Sequence, residues 1–274
     1  MSLRLVKAFG VVSQQGNPIG GRRRFGVPPG GVFDPESWIL ANTLAGCPSL
    51  DPAWELSMAQ ASFRAEQSGI VGVAGATAVI RHRAKELETG VAFSIQAGDQ
   101  FVVEAPTRGA RVYVSFGAAV RPAGWHQKVE KCPDSVGDRL RLRLLPGPQS
   151  DLFEPGELTG PFTVTSNISR VGLRLEPAIS AHSVELPSEP QCVGTVQVAN
   201  DGTLILLGPD GPTIGGYPKI AVVPTCDIAR MGQLQPGDKL RFSPITIEEA
   251  RVELDESLAA LGRRLQMLRL ASGF

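Results

Sequence analysis

Gly194-Thr195-Val196-Gln197-Val198-Ala199-Asn200-Asp201-Gly202-Thr203-Leu204-Ile205-Leu206-Leu207 reads as two short apolar strands joined by a tight turn. Asn, Asp and Gly accept the dihedrals of a hairpin turn, so Asn200-Asp201-Gly202 marks where the chain reverses. Neither flank is long enough for a stable helix, and both are rich in residues that suit a pleated, half-buried surface. Outward from this hairpin the same kind of run recurs at 69–80, 92–104, 110–116, 139–145, 162–165, 172–175, 220–223 and 239–242, broken by 31 glycines and 22 prolines. The pattern predicts an all-β fold of the barrel or sandwich type.

A Gly-Asp pair opens a strand-like run at Gly98-Asp99, Gly137-Asp138 and Gly237-Asp238. The first and last predict a duplicated lobe, although good turn chemistry alone also yields the pair. Two helices interrupt the strands. Asp34-Pro35-Glu36-Ser37 reads as an N-cap, a first-turn proline and an acidic first turn, and Gly46 ends the helix. Thr246-Ile247-Glu248-Glu249 has the capping-box pattern and starts a C-terminal helix with leucines at 254, 258, 261, 265 and 268. That stripe is read as packing on the chain's own barrel, with a zipper to a partner helix as the alternative.

Composition limits the function classes. Lysine plus arginine and aspartate plus glutamate each number 27 in the 274 residues, so no net field draws the chain to nucleic acid or an anionic membrane. Cys47, Cys132, Cys192 and Cys226 form no Cys-x-x-Cys pair and His82, His126 and His182 are scattered, which argues against zinc, a redox dithiol or any His-based metal site. The N-terminus carries charges inside its apolar stretch and lacks a cleavage site, so no secretory signal is read. The longest nearly apolar run, 70–80, is half of the roughly 20 residues that a membrane-spanning helix requires. A cytoplasmic protein with reduced thiols and no membrane span is expected.

No nucleophile is advertised: there is no Gly-x-Ser-x-Gly elbow, and the glycine-rich stretch from Gly208 to Gly216 lacks the lysine of a P-loop. Polar groups gather instead in loops. Pro146-Gly147-Pro148-Gln149-Ser150-Asp151 puts an amide and a carboxylate on a proline-stiffened turn. Strand alternation sets Arg170, Gly172 and Arg174 on one face, which serves either a bound carboxylate or phosphate or ordinary surface ion pairs. Gln197 shares a face with Thr195 downstream of Ser188-Glu189, as a ligand reader or a solvent contact. Arg22-Arg23-Arg24 is either an anion-binding loop or a solvated charge run. Gly215-Gly216-Tyr217-Pro218 lets backbone N–H groups approach a ligand without a Cβ, beside a ring with a hydroxyl; a plain turn before a strand is the alternative.

Taken in order, Phe25-Gly26-Val27-Pro28-Pro29-Gly30-Gly31-Val32-Phe33-Asp34, Ala41-Asn42-Thr43-Leu44-Ala45-Gly46, Trp54-Glu55-Leu56 and Gly109-Ala110-Arg111-Val112-Tyr113 form a series. It continues through Leu145-Pro146-Gly147-Pro148-Gln149-Ser150-Asp151-Leu152-Phe153, Arg170-Val171-Gly172-Leu173-Arg174-Leu175, Ser188-Glu189, Gly194-Thr195-Val196-Gln197-Val198, Gly215 to Ile220 and Gln233-Leu234-Gln235-Pro236-Gly237-Asp238. The series resembles the allophanate hydrolase subunit 2 family, also called the biotin-dependent carboxyltransferase or KipA-like family, which includes the C-type component of ATP-dependent 5-oxoprolinase.

The resemblance implies two cyclophilin-like β-barrel lobes with a few short helices, a C-terminal helix and a ligand groove between or beside the lobes. The expected division is an N-terminal lobe over 1–119, a shortened connection over 120–138, a second lobe over 139–245 and the helix over 246–271. It also implies a B-type, KipI-like partner and, in the three-component form, an A-type partner of the LamB/YcsF kind. Together they open 5-oxoproline with ATP, which acts at the level of the complex. Substrate-binding residues expected on this basis, for a small amide or carboxylate, are Gln149, Arg170, Arg174, Glu189, Gln197, Asp210, Thr213, Gly215, Gly216, Tyr217 and Pro218, with no catalytic residue assigned and no metal.

Departures from the family pattern are concentrated in polar positions. A Gln-Asp-x-Gly-Arg motif is replaced by Gln15-Gly16-Asn17-Pro18-Ile19, and Asp-Arg-Gln-Thr-Thr-Gly-Gly by Asp210-Gly211-Pro212-Thr213-Ile214-Gly215-Gly216. Ile168-Ser169 stands where the family has Ser-Asp, and the region after Phe116 is shortened to 117–137. A divergent member is therefore expected. The alternatives to a 5-oxoprolinase component are a catalytically silent KipA-like binding module and a carboxyltransferase that moves a carboxyl group from carboxybiotin to urea, which needs a separate biotin carrier.

Overall fold

The computed structural model describes residues 2–119, 121–128, 140–180 and 186–272. Gly137-Asp138, Cys132, His182 and most of 120–138 lie outside the described residues. By contacts the chain divides into two compact units, one of Met1–Asn17, Asp34–Val136 and Leu258–Phe274, the other of Pro18–Phe33 and Gly137–Ser257.

The first unit holds β1 (Leu3–Gln15), β2 (Ala53–Ala65), β3 (Gly69–Thr77), β4 (Val79–His82), β5 (Lys85–Glu88), β6 (Val91–Ile95), β7 (Gln100–Val103), β8 (Arg108–Gly117) and β9 (His126–Lys128). They form one sheet in the order β5-β4-β7-β2-β8-β3-β6-β9, with β1 paired on the long β2, curled into a half barrel. Phe63, Phe93 and Phe101 meet inside it, with ring centroids 5.3 and 5.4 Å apart. Helix α1 (Pro35–Ala45) covers β3 so closely that a Cβ on Gly72 would lie 2.2 Å from the carbonyl of Ala41. Asp34 caps this helix as the sequence predicts, accepting from the Ser37 N–H at 3.1 Å and its hydroxyl at 2.6 Å.

The second unit holds β10 (Arg141–Pro146), β11 (Pro161–Ile168), β12 (Gly172–Glu176), β13 (Glu189–Pro190), β14 (Thr195–Val198), β15 (Leu204–Leu207), β16 (Ile214–Gly215), β17 (Lys219–Val222) and β18 (Lys239–Pro244). A closed barrel runs β10-β17-β14-β15-β12-β11-β18 and back to β10, while β13 and β16 pair as a separate ribbon. Alternate residues fill its interior, Leu173 with Leu175, Val196 with Val198 and Leu204 with Leu206. The hairpin β14–β15 forms where Asn200-Asp201-Gly202 places it: the Gly202 N–H donates to Ala199, and Asp201 accepts from the Thr203 N–H.

The two Gly-Asp turns make the same bonds in both units. Gly98 N–H donates to Ala65 and the Ala65 N–H to Asp99, at 2.8 and 2.9 Å; Gly237 N–H donates to Val164 and the Val164 N–H to Asp238, at 2.8 and 2.9 Å. Each aspartate also accepts the backbone N–H three residues earlier, from Gln96 at 3.1 Å and Gln235 at 3.0 Å. Matching local geometry at equivalent strand ends supports the duplicated lobe read from sequence.

Short helix α2 (Ile228–Gly232) precedes β18, and α3 (Ile247–Ser272) follows it. The capping box forms, with Thr246 and Glu249 each accepting the other's backbone N–H. Leu268 is buried and Leu254, Leu261 and Leu265 are half-buried, which fits packing on the chain's own surface, whereas Leu258 is 57% exposed.

Candidate functional site

The loop that leaves β10 lies directly on the start of β17. Gly147 N–H donates to Ile220 and Gln149 N–H to Lys219, at 2.9 and 3.2 Å, and a Cβ on Gly147 would sit 2.1 Å from the Lys219 carbonyl. Only glycine permits that approach. It fixes Gln149, whose Oε1 accepts the Lys219 N–H at 3.1 Å and whose Nε2 donates to Glu189 Oε2 at 3.1 Å. The same carboxylate oxygen receives Lys219 Nζ at 2.5 Å. Lys219 is 6% exposed, while the Glu189 side chain is 38% exposed, so the pair has a buried end and an open end. The Lys219 ammonium first, then the Gln149 amide, hold the Glu189 carboxyl below the usual carboxylate range.

Glu189 is brought here by the ribbon β13–β16, in which it pairs with Gly215. The ribbon also fixes Gln191, whose N–H donates to Thr213 at 2.9 Å and whose Nε2 donates to the Gly215 carbonyl at 3.1 Å. A Cβ on Gly215 would lie 3.1 Å from Gln191 Nε2 and 3.3 Å from Gln197 Nε2, so both amides flank this glycine. Gln197 and Thr213 are buried, Tyr217 is exposed, and the Pro218 carbonyl accepts the Val198 N–H. Gly216 lies beside the Leu186 carbonyl.

The structure thus gathers Gln149, Glu189, Gln197, Thr213 and Gly215–Pro218 around one corner of the barrel. Arg170 and Asp210 instead satisfy each other, through Nε–Oδ2 at 2.7 Å and Nη2–Oδ1 at 3.0 Å, and Arg170 Nη2 donates to Gly31 at 2.6 Å. Arg174 is half-buried on β12, and its charge reaches Asp201 in the hairpin turn. Sequence reasoning did not single out Lys219 and Gln191. The signal for Lys219 was a lysine opening an otherwise apolar strand; Gln191 carried none.

In the loop 208–216, Gly208 and Gly211 face the chain's own backbone: a Cβ on Gly208 would meet the Arg170 carbonyl at 2.3 Å, and one on Gly211 the Gly208 carbonyl at 3.0 Å. Arg22 and Arg24 lie on an exposed loop, Arg24 stacked 4.8 Å over the Phe25 ring. Among the described residues no three His, Cys, Asp or Glu side chains gather as metal ligands. A cleft of ≈ 820 Å³ runs beside this corner, lined by Leu144, Phe153, Ile220 and Phe242 with the carboxylate residues Asp151, Glu154 and Glu157, and none of the expected substrate-binding residues lines it.

Comparison with known proteins agrees with this architecture. The chain is 26% identical over 292 residues to the C-type component of 5-oxoprolinase from Escherichia coli K12, covering 90% of this chain and 93% of that one. The solved structure of TTHA0988 superposes with a TM-score of 0.77 at 25% identity, covering 88% of this chain and 56% of that one. The Kluyveromyces lactis urea amidolyase superposes with a TM-score of 0.79 at 22% identity, covering 97% of this chain, which spans 20% of the amidolyase, and this likeness speaks to the fold. The family description "carboxyltransferase domain, subdomain A and B" matches residues 25–125 and 117–244, and the chain belongs to that family.

Proposed function

We propose that this chain is the C-type component of an ATP-dependent 5-oxoprolinase, working in the cytoplasm with a B-type, KipI-like partner and an A-type partner of the LamB/YcsF kind. The observation that carries the reading is the end-to-end similarity to the E. coli protein, over 90% of this chain and 93% of that one. The reaction adds water across a cyclic amide: hydroxyl goes to the carbonyl carbon, the C–N bond breaks and the nitrogen takes the proton. ATP acts at the level of the complex.

This chain's contribution is binding and charge placement. Lys219 gives one of its three N–H donors to Glu189, leaving two for a substrate carboxylate or a developing oxyanion. The backbone of Gly215 and Gly216 supplies donors unobstructed by a Cβ, and Gln149, Gln197, Thr213 and Tyr217 orient the ligand. In the reconstituted complex, ATP hydrolysis is expected only when 5-oxoproline is added; an ATPase rate indifferent to 5-oxoproline removes this reading.

One observation favours a second reading, a catalytically silent module that binds a KipI-like partner. Arg170, one of the two arginines expected to hold a carboxylate, bonds Asp210 and Gly31. Under that reading the complex stays intact on purification while 5-oxoproline and urea analogues leave its melting temperature unchanged.

A further inference from the structure

The cleft beside β17 belongs wholly to the second unit, and its floor is the barrel's own core. Leu144 on β10 and Ile220 on β17 are buried members of that core, as is Phe153 in the loop after β10, and Phe242 on the neighbouring strand β18 packs against them. A concave, mainly apolar space of ≈ 820 Å³ falls in the upper part of the range that small-molecule sites occupy, about 300–1,000 Å³.

The charge at its mouth has one sign. Asp151 and Glu154 are exposed and Glu157 is half-buried, and no Lys, Arg or His side chain lines the cleft. Among the described residues none of these three carboxylates forms an ion pair; Glu157 accepts the Ser180 N–H at 3.3 Å, which orients the group and leaves its charge in place. Turns fix the segment that carries them: Phe153 N–H donates to Ser150 at 3.3 Å, Glu157 N–H to Glu154 at 3.3 Å and Thr159 N–H to Gly156 at 2.9 Å. The carboxylates do not converge as a chelate, since among the described residues no three such groups gather as metal ligands. Their charge acts instead as a field over an apolar recess, which suits a diffuse organic cation better than a hard metal ion.

We propose that this cleft is a second binding site, one that takes a small organic cation: an amine or guanidine carried on an apolar body. The body lies against Leu144, Phe153, Ile220 and Phe242 and removes apolar surface from water, while the cationic head stays at the mouth with Asp151, Glu154 and Glu157. 5-Oxoproline is an anion, which the same field disfavours. The cleft therefore differs from the Lys219–Glu189 corner in charge preference as well as in lining, and the proposal does not depend on the 5-oxoprolinase reading.

The test measures binding to the full chain by calorimetry, at low ionic strength and again in about 0.5 M salt, with phenylbutylamine, its neutral isostere phenylbutanol and the anion phenylbutyrate. The amine is expected to bind at least about tenfold more tightly than the alcohol, the carboxylate more weakly than either, and the advantage of the amine should shrink in high salt. Neutralising the mouth with Asp151→Asn, Glu154→Gln and Glu157→Gln together should bring the amine down to the affinity of the alcohol and leave the alcohol unchanged. The melting temperature should stay near wild type, since each substitution keeps an acceptor oxygen; where the triple variant does not fold, the amine–alcohol difference and its salt dependence in wild type decide. Equal binding of amine and alcohol, an undiminished preference in the neutralised variant, or displacement of the amine by 5-oxoproline overturns the proposal. So does binding of a leucine–lysine pentapeptide without binding of the amine, which would make the cleft a protein-docking groove.

Discussion

Arg170 closes on Asp210 as a two-bond fork, Nε to Oδ2 at 2.7 Å and Nη2 to Oδ1 at 3.0 Å, with Arg170 only 9% exposed. The guanidinium also ties the loop 18–33 to the barrel through the Gly31 carbonyl. The geometry predicts a bracing role. Asp210→Asn should lower unfolding free energy by about 1.5–3 kcal/mol in urea titrations, the range for a hydrogen bond to a charged group, because it leaves a largely buried cation underpaired. The KM of the assembled complex should change little; a rise of tenfold or more at unchanged stability would instead make Arg170 a substrate ligand.

Local chemistry made much of the fold legible. Asp34, Thr246 with Glu249, and Asn200-Asp201-Gly202 act within a few residues of themselves, and each does what its spacing says. The Gly-Asp repeat was visible as a pair of dipeptides, and the structure adds the shared hydrogen bonds that give the repeat meaning. The site was legible only in part because its contacts span distance in sequence. Glu189 meets Lys219 thirty positions on, and Arg170 meets Asp210 forty positions on. Alternation along one strand cannot reveal whether an arginine fork is free or filled.

Tyr113 offers a stability test inside the first unit. Its hydroxyl donates to Glu55 Oε2 at 2.7 Å and accepts the Asp34 N–H at 2.8 Å, and all three residues are buried. Tyr113→Phe should cost about 1–3 kcal/mol, since the hydroxyl's partners stay buried after it is gone. Burial first, then the Glu55 charge, pushes the phenol well above its ordinary value. The unfolded state therefore loses its proton first, and the contribution of Tyr113 to stability is complete below about pH 10 and is lost as pH rises beyond it. In an alkaline titration the Tyr113 share of the tyrosinate absorbance should develop together with the loss of circular dichroism.

His82 predicts the acid side. The ring is 7% exposed, packs 5.0 Å from the Phe93 ring, and lies 3.4 Å from Asp99, with Arg83 and Lys85 adding positive charge nearby. Burial outweighs the pull of Asp99 and lowers the His82 pKa. The unfolded state then binds the proton first on acidification, so the contribution of His82 is complete above about pH 6.5 and is lost as pH falls through its lower folded value. Asp99, lowered by the Gln96 N–H, Arg83 and His82 against the effect of burial, acts in the same sense below about pH 4. Melting temperature measured from pH 7.5 to 5 should fall less steeply in His82→Phe than in wild type; parallel curves would assign the acid sensitivity elsewhere.

Lys219 and Glu189 carry the functional prediction. Lys219 Nζ lies 2.5 Å from Glu189 Oε2, and this contact, with the Gln149 amide, keeps the carboxyl below its usual range. Wild-type Glu189 therefore stays ionised through mildly acidic pH, and the assembled complex should show no loss of kcat/KM from Glu189 between pH 7 and 5. In Lys219→Met the ammonium is gone and the carboxyl returns upward, so a falling acid limb should emerge in the kcat/KM profile. The same variant should lose at least about tenfold in 5-oxoproline-stimulated ATP hydrolysis, since it removes the cation paired with Glu189 in this corner. Glu189→Gln removes the titrating group, so it should lower the rate without adding an acid limb. A Lys219→Met complex with wild-type rate and an unchanged pH profile would reduce the pair to a structural tie between β13 and β17.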